Sequence, residues 1–212
     1  MAEIIKNNTE YFKNFREMLH NFLKLEESKI ASDMREASFD DKKNFYLYSN
    51  EDKLLNMEVV KLDDMTEQFF HYMQKERKLK EFMQPQAVDA VCINNKNDWF
   101  FIEFKNREYD KNVISDVKKK IFKSLWFVSS MNSFAGTNLF ADIDFADFAR
   151  RHITYIIVIS RKQNPDEYRR IHESYNNLYT PDNFKKYIGY YFKDVYLFTE
   201  QELYKFVKNF NR

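Results

Sequence analysis

Ala87-Val88-Asp89-Ala90-Val91-Cys92-Ile93, the polar link Asn94-Asn95-Lys96-Asn97-Asp98, and Trp99-Phe100-Phe101-Ile102-Glu103-Phe104-Lys105 decide how this chain reads. Two runs rich in β-branched and aromatic residues flank a short Asn-rich link, which predicts an antiparallel hairpin. With the turn centred on Lys96, Ile93 faces Trp99, Val91 faces Phe101 and Asp89 faces Glu103. Directly opposed residues share a face, with Cβ atoms roughly 5 Å apart. Lys105 lies two residues past Glu103 and shares that face. A slip of one residue would send Asp89 to the other side.

Asp89, Glu103 and Lys105 are the charged residues inside these runs. Charges are seldom placed in apolar strands without a partner or a task. Two opposed carboxylates repel unless a cation lies between them. Mg²⁺ or Mn²⁺ suits that place, held by Asp89 and Glu103 with a backbone carbonyl, that of Phe104, beside them. Lys105 would then orient or deprotonate an attacking water, or stabilise charge on phosphorus. The competing reading is an edge hairpin carrying an ordinary salt bridge. The apolar and aromatic neighbours on both faces weigh against it, because a solvated face carries more polar residues.

The rest of the composition narrows the classes. The 212 residues suit a single domain, and 44% hydrophobic content supports a sizeable core. Two glycines, Gly136 and Gly189, leave no Gly-rich phosphate loop, which argues against a Rossmann enzyme or a P-loop NTPase. A formal net charge of +1 gives no global attraction to nucleic acid, so such binding must come from local patches. The lone cysteine, Cys92, excludes an internal disulfide and fits a reducing compartment. Without a membrane-length apolar run or an apolar signal region at Met1–Lys6, a cytoplasmic protein with no membrane partner is expected.

Along the chain, apolar spacing predicts a helix over 3–34, with Ile4, Tyr11, Phe15, Met18, Leu19, Phe22 and Leu25 as its stripe. Residues 35–62 are irregular, with a helical turn near 53–57. Asp64-Met65-Thr66-Glu67 has capping-box spacing and predicts a helix over 64–80. A short strand at 79–83 is expected before Pro85. Beyond the hairpin, Val113, Val117, Ile121, Leu125 and Val128 predict a helix over 112–131. Ile153-Thr154-Tyr155-Ile156-Ile157-Val158-Ile159 reads as a central strand buried on both faces. A helix over 166–176, a strand at 194–198 and a last helix opened by Thr199-Glu200-Gln201-Glu202 complete an α/β fold.

Asp89, thirteen intervening residues and Glu103-Phe104-Lys105 resemble the Asp…(Asp/Glu)-x-Lys signature of the PD-(D/E)XK nuclease superfamily, which includes restriction endonucleases. The order of elements over 63–160 resembles that superfamily's αβββαβ core, a mixed sheet flanked by helices. Residues 1–62 would be an N-terminal helical extension, and 161–212 a helix, strand and helix completing the domain. The resemblance implies Mg²⁺-dependent phosphodiester hydrolysis, with Asp89 and Glu103 as metal ligands and Lys105 positioning the water. One departure is Val88, which stands where the family's proline precedes the Asp. Many members carry a further Glu on the helix before the hairpin; Glu67 and Glu76 are the candidates here, and Glu67, which the capping box also explains, is the one expected. DNA is the expected substrate, and dimerisation, common in similar nucleases, stays open. The alternative is a catalytically silent scaffold of the same fold, a protein-binding module of immunity or phage defence.

Weaker signals admit two readings each. Lys118, Lys119, Lys120 and Lys123 are either phosphate contacts or a solvated helix face. Tyr187, Tyr190, Tyr191 and Phe192 are base-stacking rings or core. The four histidines share no metal-ligand spacing.

Overall fold

The computed structural model describes residues 4–48, 56–77, 86–140, 143–174, 176 and 178–210. The elements in chain order begin with β1 (Ile4–Ile5), α1 (Glu10–Leu23), α2 (Glu27–Ile30), β2 (Ala31–Asp33) and α3 (Met34–Ala37). Next come β3 (Phe39–Asp40), β4 (Phe45–Tyr46), β5 (Asn56–Val60), α4 (Leu62–Arg77), β6 (Ala90–Ile93) and β7 (Trp99–Lys105). The chain continues through α5 (Lys111–Ala135), α6 (Phe145–His152), β8 (Ile153–Ile159) and α7 (Pro165–Glu173). It closes with α8 (Asp182–Lys185), β9 (Asp194–Thr199) and α9 (Glu200–Asn209).

One mixed sheet runs in the order β1-β5-β6-β7-β8-β9, with β2 also on β5 and β3–β4 as a separate ribbon. β5, β6 and β7 pair antiparallel, and β7, β8 and β9 pair parallel. The hairpin register is the one expected: Ala90 faces Ile102, Val91 faces Phe101, Cys92 faces Phe100 and Ile93 faces Trp99. Its turn is shaped by Asn94, whose Oδ1 accepts from the N–H groups of Lys96 and Asp98 at 2.9 Å. Asn97 takes the left-handed conformation (φ 59°) that asparagine tolerates better than most residues. β8 is buried along its whole length between parallel neighbours, as its continuous β-branched sequence predicts.

Strand alternation divides the core. Trp99 and Phe101 of β7 pack on the side of α1, α4 and α5, while Phe100, Ile102 and Phe104 turn to the side of α9. Glu103 has the parity of Phe101 and so enters the α5 side. α5 is opened by Asp110, whose carboxylate accepts from the Val113 N–H at 2.8 Å, and closed by Gly136 at φ 63°. All five residues of its expected stripe are buried.

The N-terminal third departs from its expected form. The helix read over 3–34 is broken into Glu10–Leu23, capped by Thr9 and ended by Lys24 in the left-handed region, and the short Glu27–Ile30. Ile4–Ile5 and Ala31–Asp33 are strands on β5, and Asn56–Val60 is a strand rather than the end of a helical turn. Residues 1–62, expected to be a helical extension, therefore supply three strands of the main sheet. The register of β5 is tied down by the buried Glu58, which takes 3.1 Å contacts from the Asn7 N–H and the Arg16 guanidinium. α4 starts two residues before the expected Asp64, because helical bonding already begins with the Met65 N–H on the Lys61 carbonyl. The short strand expected at 79–83, which the αβββαβ pattern needs, lies outside the described residues. Within them the order is helix, hairpin, two helices and strand, with α6 added between α5 and β8.

Candidate active site

Asp89 sits one residue before β6 at the open end of the hairpin. Its Oδ2 accepts from the Phe104 N–H at 2.6 Å, which extends the ladder by a side chain and fixes the carboxylate beside Glu103. The preceding backbone is held from two helices. The Val88 N–H donates to Ser124 Oγ of α5 at 2.9 Å, and the Ala87 N–H donates to Asp63 of α4 at 2.8 Å.

Glu103 is fully buried, and Lys105 Nζ touches its Oε1 at 2.6 Å. Lys120, reaching in from α5, places one ammonium 3.0 Å from Asp89 Oδ1 and 3.0 Å from Glu103 Oε1. A single cation therefore bridges the two carboxylates, and in this structure it is a lysine. Among the described residues Glu103 Oε2 has no hydrogen-bond partner. Tyr155 of β8 brings a buried hydroxyl into the same neighbourhood.

Burial pushes the Glu103 carboxyl up to about 7, and the Asp89 charge adds to the rise, while Lys120 and Lys105 oppose it. Burial works against the charge of Lys120, but Asp89, Glu103 and Asp63 outweigh it and hold the ammonium protonated well beyond its usual range. Burial also raises the Asp63 carboxyl, against the pull of Lys120. The Tyr155 hydroxyl stays neutral, driven up by burial and then by Glu103 and Asp89. Perturbed groups gathered at a cleft make it a candidate functional site.

The site opens into a cleft of about 500 Å³ between α5, the end of β7 and the β3–β4 ribbon. Asp89, Lys105, Lys120, Asp63, Arg107 and Lys43 are among its lining residues. The backbone of Arg107, a lining residue, is held from behind by buried Asn164, which accepts from the Tyr109 N–H at 2.6 Å and donates to the carbonyls of Arg107 at 3.1 Å and Ser160 at 2.9 Å.

The structure thus brings Asp89, Glu103 and Lys105 together and leaves Glu67 elsewhere. Glu67 is exposed on α4, 3.7 Å from His71, and lines a different hollow. The acid that α4 does supply is Asp63. Phe104 contributes its N–H to Asp89, whereas the expected role was its carbonyl on a metal. Lys120 was absent from the expected site, yet the sequence carries a signal for it. Val113, Val117, Lys120 and Ser124 follow three- and four-residue spacing, which puts Lys120 on the buried face. Cys92 lies on the opposite sheet face from Asp89, buried in the α9-side core.

Among the described residues no three His, Cys, Asp or Glu side chains gather as a metal cage. The donor set still fits a hard divalent cation. One cation already touches both carboxylates, and a buried carboxylate oxygen is left over. Such an ion would compete with the Lys120 ammonium for Asp89 and Glu103. Comparison with protein-family models, curated proteins and solved structures finds no match.

Proposed function

We propose that this protein is a Mg²⁺-dependent nuclease of restriction-endonuclease-like fold that hydrolyses phosphodiester bonds of DNA. The observation that carries the reading is the single cation shared by Asp89 and Glu103, with Lys105 on the same carboxylate, at the mouth of a cleft. Asp89 and Glu103 would hold the ion. When bound, a divalent ion lowers the pKa of a water and polarises a phosphoryl oxygen.

The protein's own groups have separable tasks. Lys105, tethered to Glu103, orients the attacking water and stabilises negative charge as it develops on phosphorus. Lys120, released from the carboxylates, remains within reach as a second positive charge for the phosphate. Asp63 fixes the segment before Asp89, and Tyr155 excludes solvent behind Glu103. A silent scaffold of the same fold has little to recommend it. Nothing in a purely binding role requires a fully buried carboxylate flanked by two lysines.

Incubating the purified protein with plasmid and single-stranded DNA, in Mg²⁺ or Mn²⁺ and then in chelator, tests the reading. Cleavage that needs the metal and drops at least a hundredfold in Asp89→Asn, Glu103→Gln and Lys105→Ala is expected. DNA left intact by the wild type in either metal would remove the nuclease reading.

A further inference from the structure

The run Tyr187-Ile188-Gly189-Tyr190-Tyr191-Phe192 divides in the structure. Tyr187 and Phe192 enter the core, but Tyr190 is 75% exposed and Tyr191 40%. Tyr191 packs edge-on against Phe122 of α5 at 5.1 Å, and Tyr190 lies 6.0 Å from Tyr191. Phe122 is 41% exposed, and Trp126, one helical turn further on, is 52% exposed. Phe122, Tyr191 and Tyr190 form a run of neighbouring rings on the outer side of the helix whose inner side carries Lys120, and Trp126, exposed on that outer side, lies 6.2 Å from Phe70 of α4.

Lysines outnumber acids around the rings. Lys118 Nζ lies over the Phe184 ring at 5.7 Å and Lys186 Nζ over the Tyr187 ring at 5.4 Å. α5 holds Lys111, Lys118, Lys119, Lys120 and Lys123 against a single acid, Asp116, and residues 186–193 contain no acid. The nearby Asp182 is paired with Lys185 at 2.7 Å. On a helix of 3.6 residues per turn, Lys119 and Lys123 fall between the Phe122–Trp126 stripe and Lys120 around the circumference. A chain +1 overall thus concentrates positive charge between exposed rings and the cleft.

We infer that Tyr190, Tyr191, Phe122 and Trp126 form a stacking platform for single-stranded DNA, whose backbone crosses Lys119 and Lys123 to reach Asp89 and Glu103. The inference rests on the nuclease reading and names its substrate class. Exposed rings bind unpaired bases face to face, and ammonium groups between them follow phosphates. Paired DNA hides its base faces, so the platform discriminates against duplex. Rings and ammonium groups offer no dedicated recognition of a 2′-hydroxyl, the group by which RNA is told from DNA.

Fluorescence anisotropy with labelled oligo(dT) in chelator measures binding apart from cleavage. Phe122→Ala and Tyr191→Ala are each expected to weaken binding roughly five- to hundredfold. Lys119→Glu, a change at an exposed position that leaves the fold alone, is expected to weaken it and flatten its salt dependence. Oligo(dT) should also quench Trp126, since the other tryptophan, Trp99, is buried. Unchanged affinity in Phe122→Ala and Lys119→Glu overturns the platform, as does equal binding of blunt duplex or tighter binding of oligo(rU). A self-associating dimer dispersed by Phe122→Ala would overturn it in favour of a second copy of this chain. Binding by a wild type that never cleaves supports the platform while removing the nuclease reading. Metal-dependent cleavage with unaltered binding in every variant does the reverse.

Discussion

At the scale of single residues, Glu103 ties stability to pH. Its folded pKa of about 7 stands above the usual 4.5, so the folded state binds the proton more tightly than the unfolded chain. The resulting stability is present below pH 4.5 and is lost as pH rises through 7, because the buried group must then carry charge. A shift of this size corresponds to roughly 3 kcal/mol at most. Urea unfolding of the metal-free protein is therefore expected to show stability falling between pH 5 and 8, and Glu103→Gln should flatten that slope. An unchanged slope in Glu103→Gln would assign the titration to another group. The same carboxylate governs Lys120. Lys120→Met removes the cation shared with Asp89, and loss of one partner from a buried pair costs roughly 3–5 kcal/mol. The cost should be largest at pH 8 and shrink at pH 5, where Glu103 is neutral. A pH-independent cost would mean that Lys120 acts through packing alone.

At the scale of elements, the site depends on α5 being clamped to the strand that precedes Asp89. Ser124 is the clamp: its hydroxyl donates to the Lys120 carbonyl at 2.7 Å and accepts from the Val88 N–H. Ser124→Ala leaves a buried N–H unsatisfied, and its expected cost is roughly 1–3 kcal/mol by urea unfolding. Cleavage should fall with it, since Asp89 follows directly. A cost within about 0.5 kcal/mol, the level of an ordinary surface change, would show that the clamp does not hold the strand. The elements also differ in how far the sequence announces them. The hairpin was legible because apolar residues on both strands fix its register, and one slip would misplace every ring of β7. α5 was legible from its stripe, but its lysines were not, because a lysine on a buried face reads like its solvated neighbours until a carboxylate is placed opposite. β1 and β2 are two and three residues long, too short for any periodicity. Only their pairing with β5 makes them strands.

At the scale of the whole molecule, the sheet order was the least legible feature. β5 joins β6 through the single pair Val60–Val91, and that long-range contact leaves no local trace. β8 was legible as a central strand because burial on both faces removes every charged residue from its sequence. Asp63 escaped notice for the same long-range reason. Its meaning depends on the Ala87 N–H and Lys120, which reach it from distant parts of the chain. This dispersion has a thermodynamic consequence for the proposed ion. Asp89 and Glu103 come together only when the sheet is formed, so a divalent cation bridging them binds the folded chain and not the unfolded one. Binding of that kind raises stability by about 2.7 kcal/mol when the ion is at a hundred times its dissociation constant. One sheet joins both cores, so the rise should appear in the global transition rather than in one part. Far-ultraviolet circular dichroism and the fluorescence of buried Trp99 should shift upward together on adding Mn²⁺ and return on adding chelator. Asp89→Asn should abolish the shift. Lys120→Met, which vacates the place between the carboxylates, should reach it at a lower Mn²⁺ concentration. A wild-type transition indifferent to Mn²⁺ and Mg²⁺, joined to an equally indifferent Lys120→Met, would mean that the lysine ammonium is the permanent cation of this site and that no metal enters it.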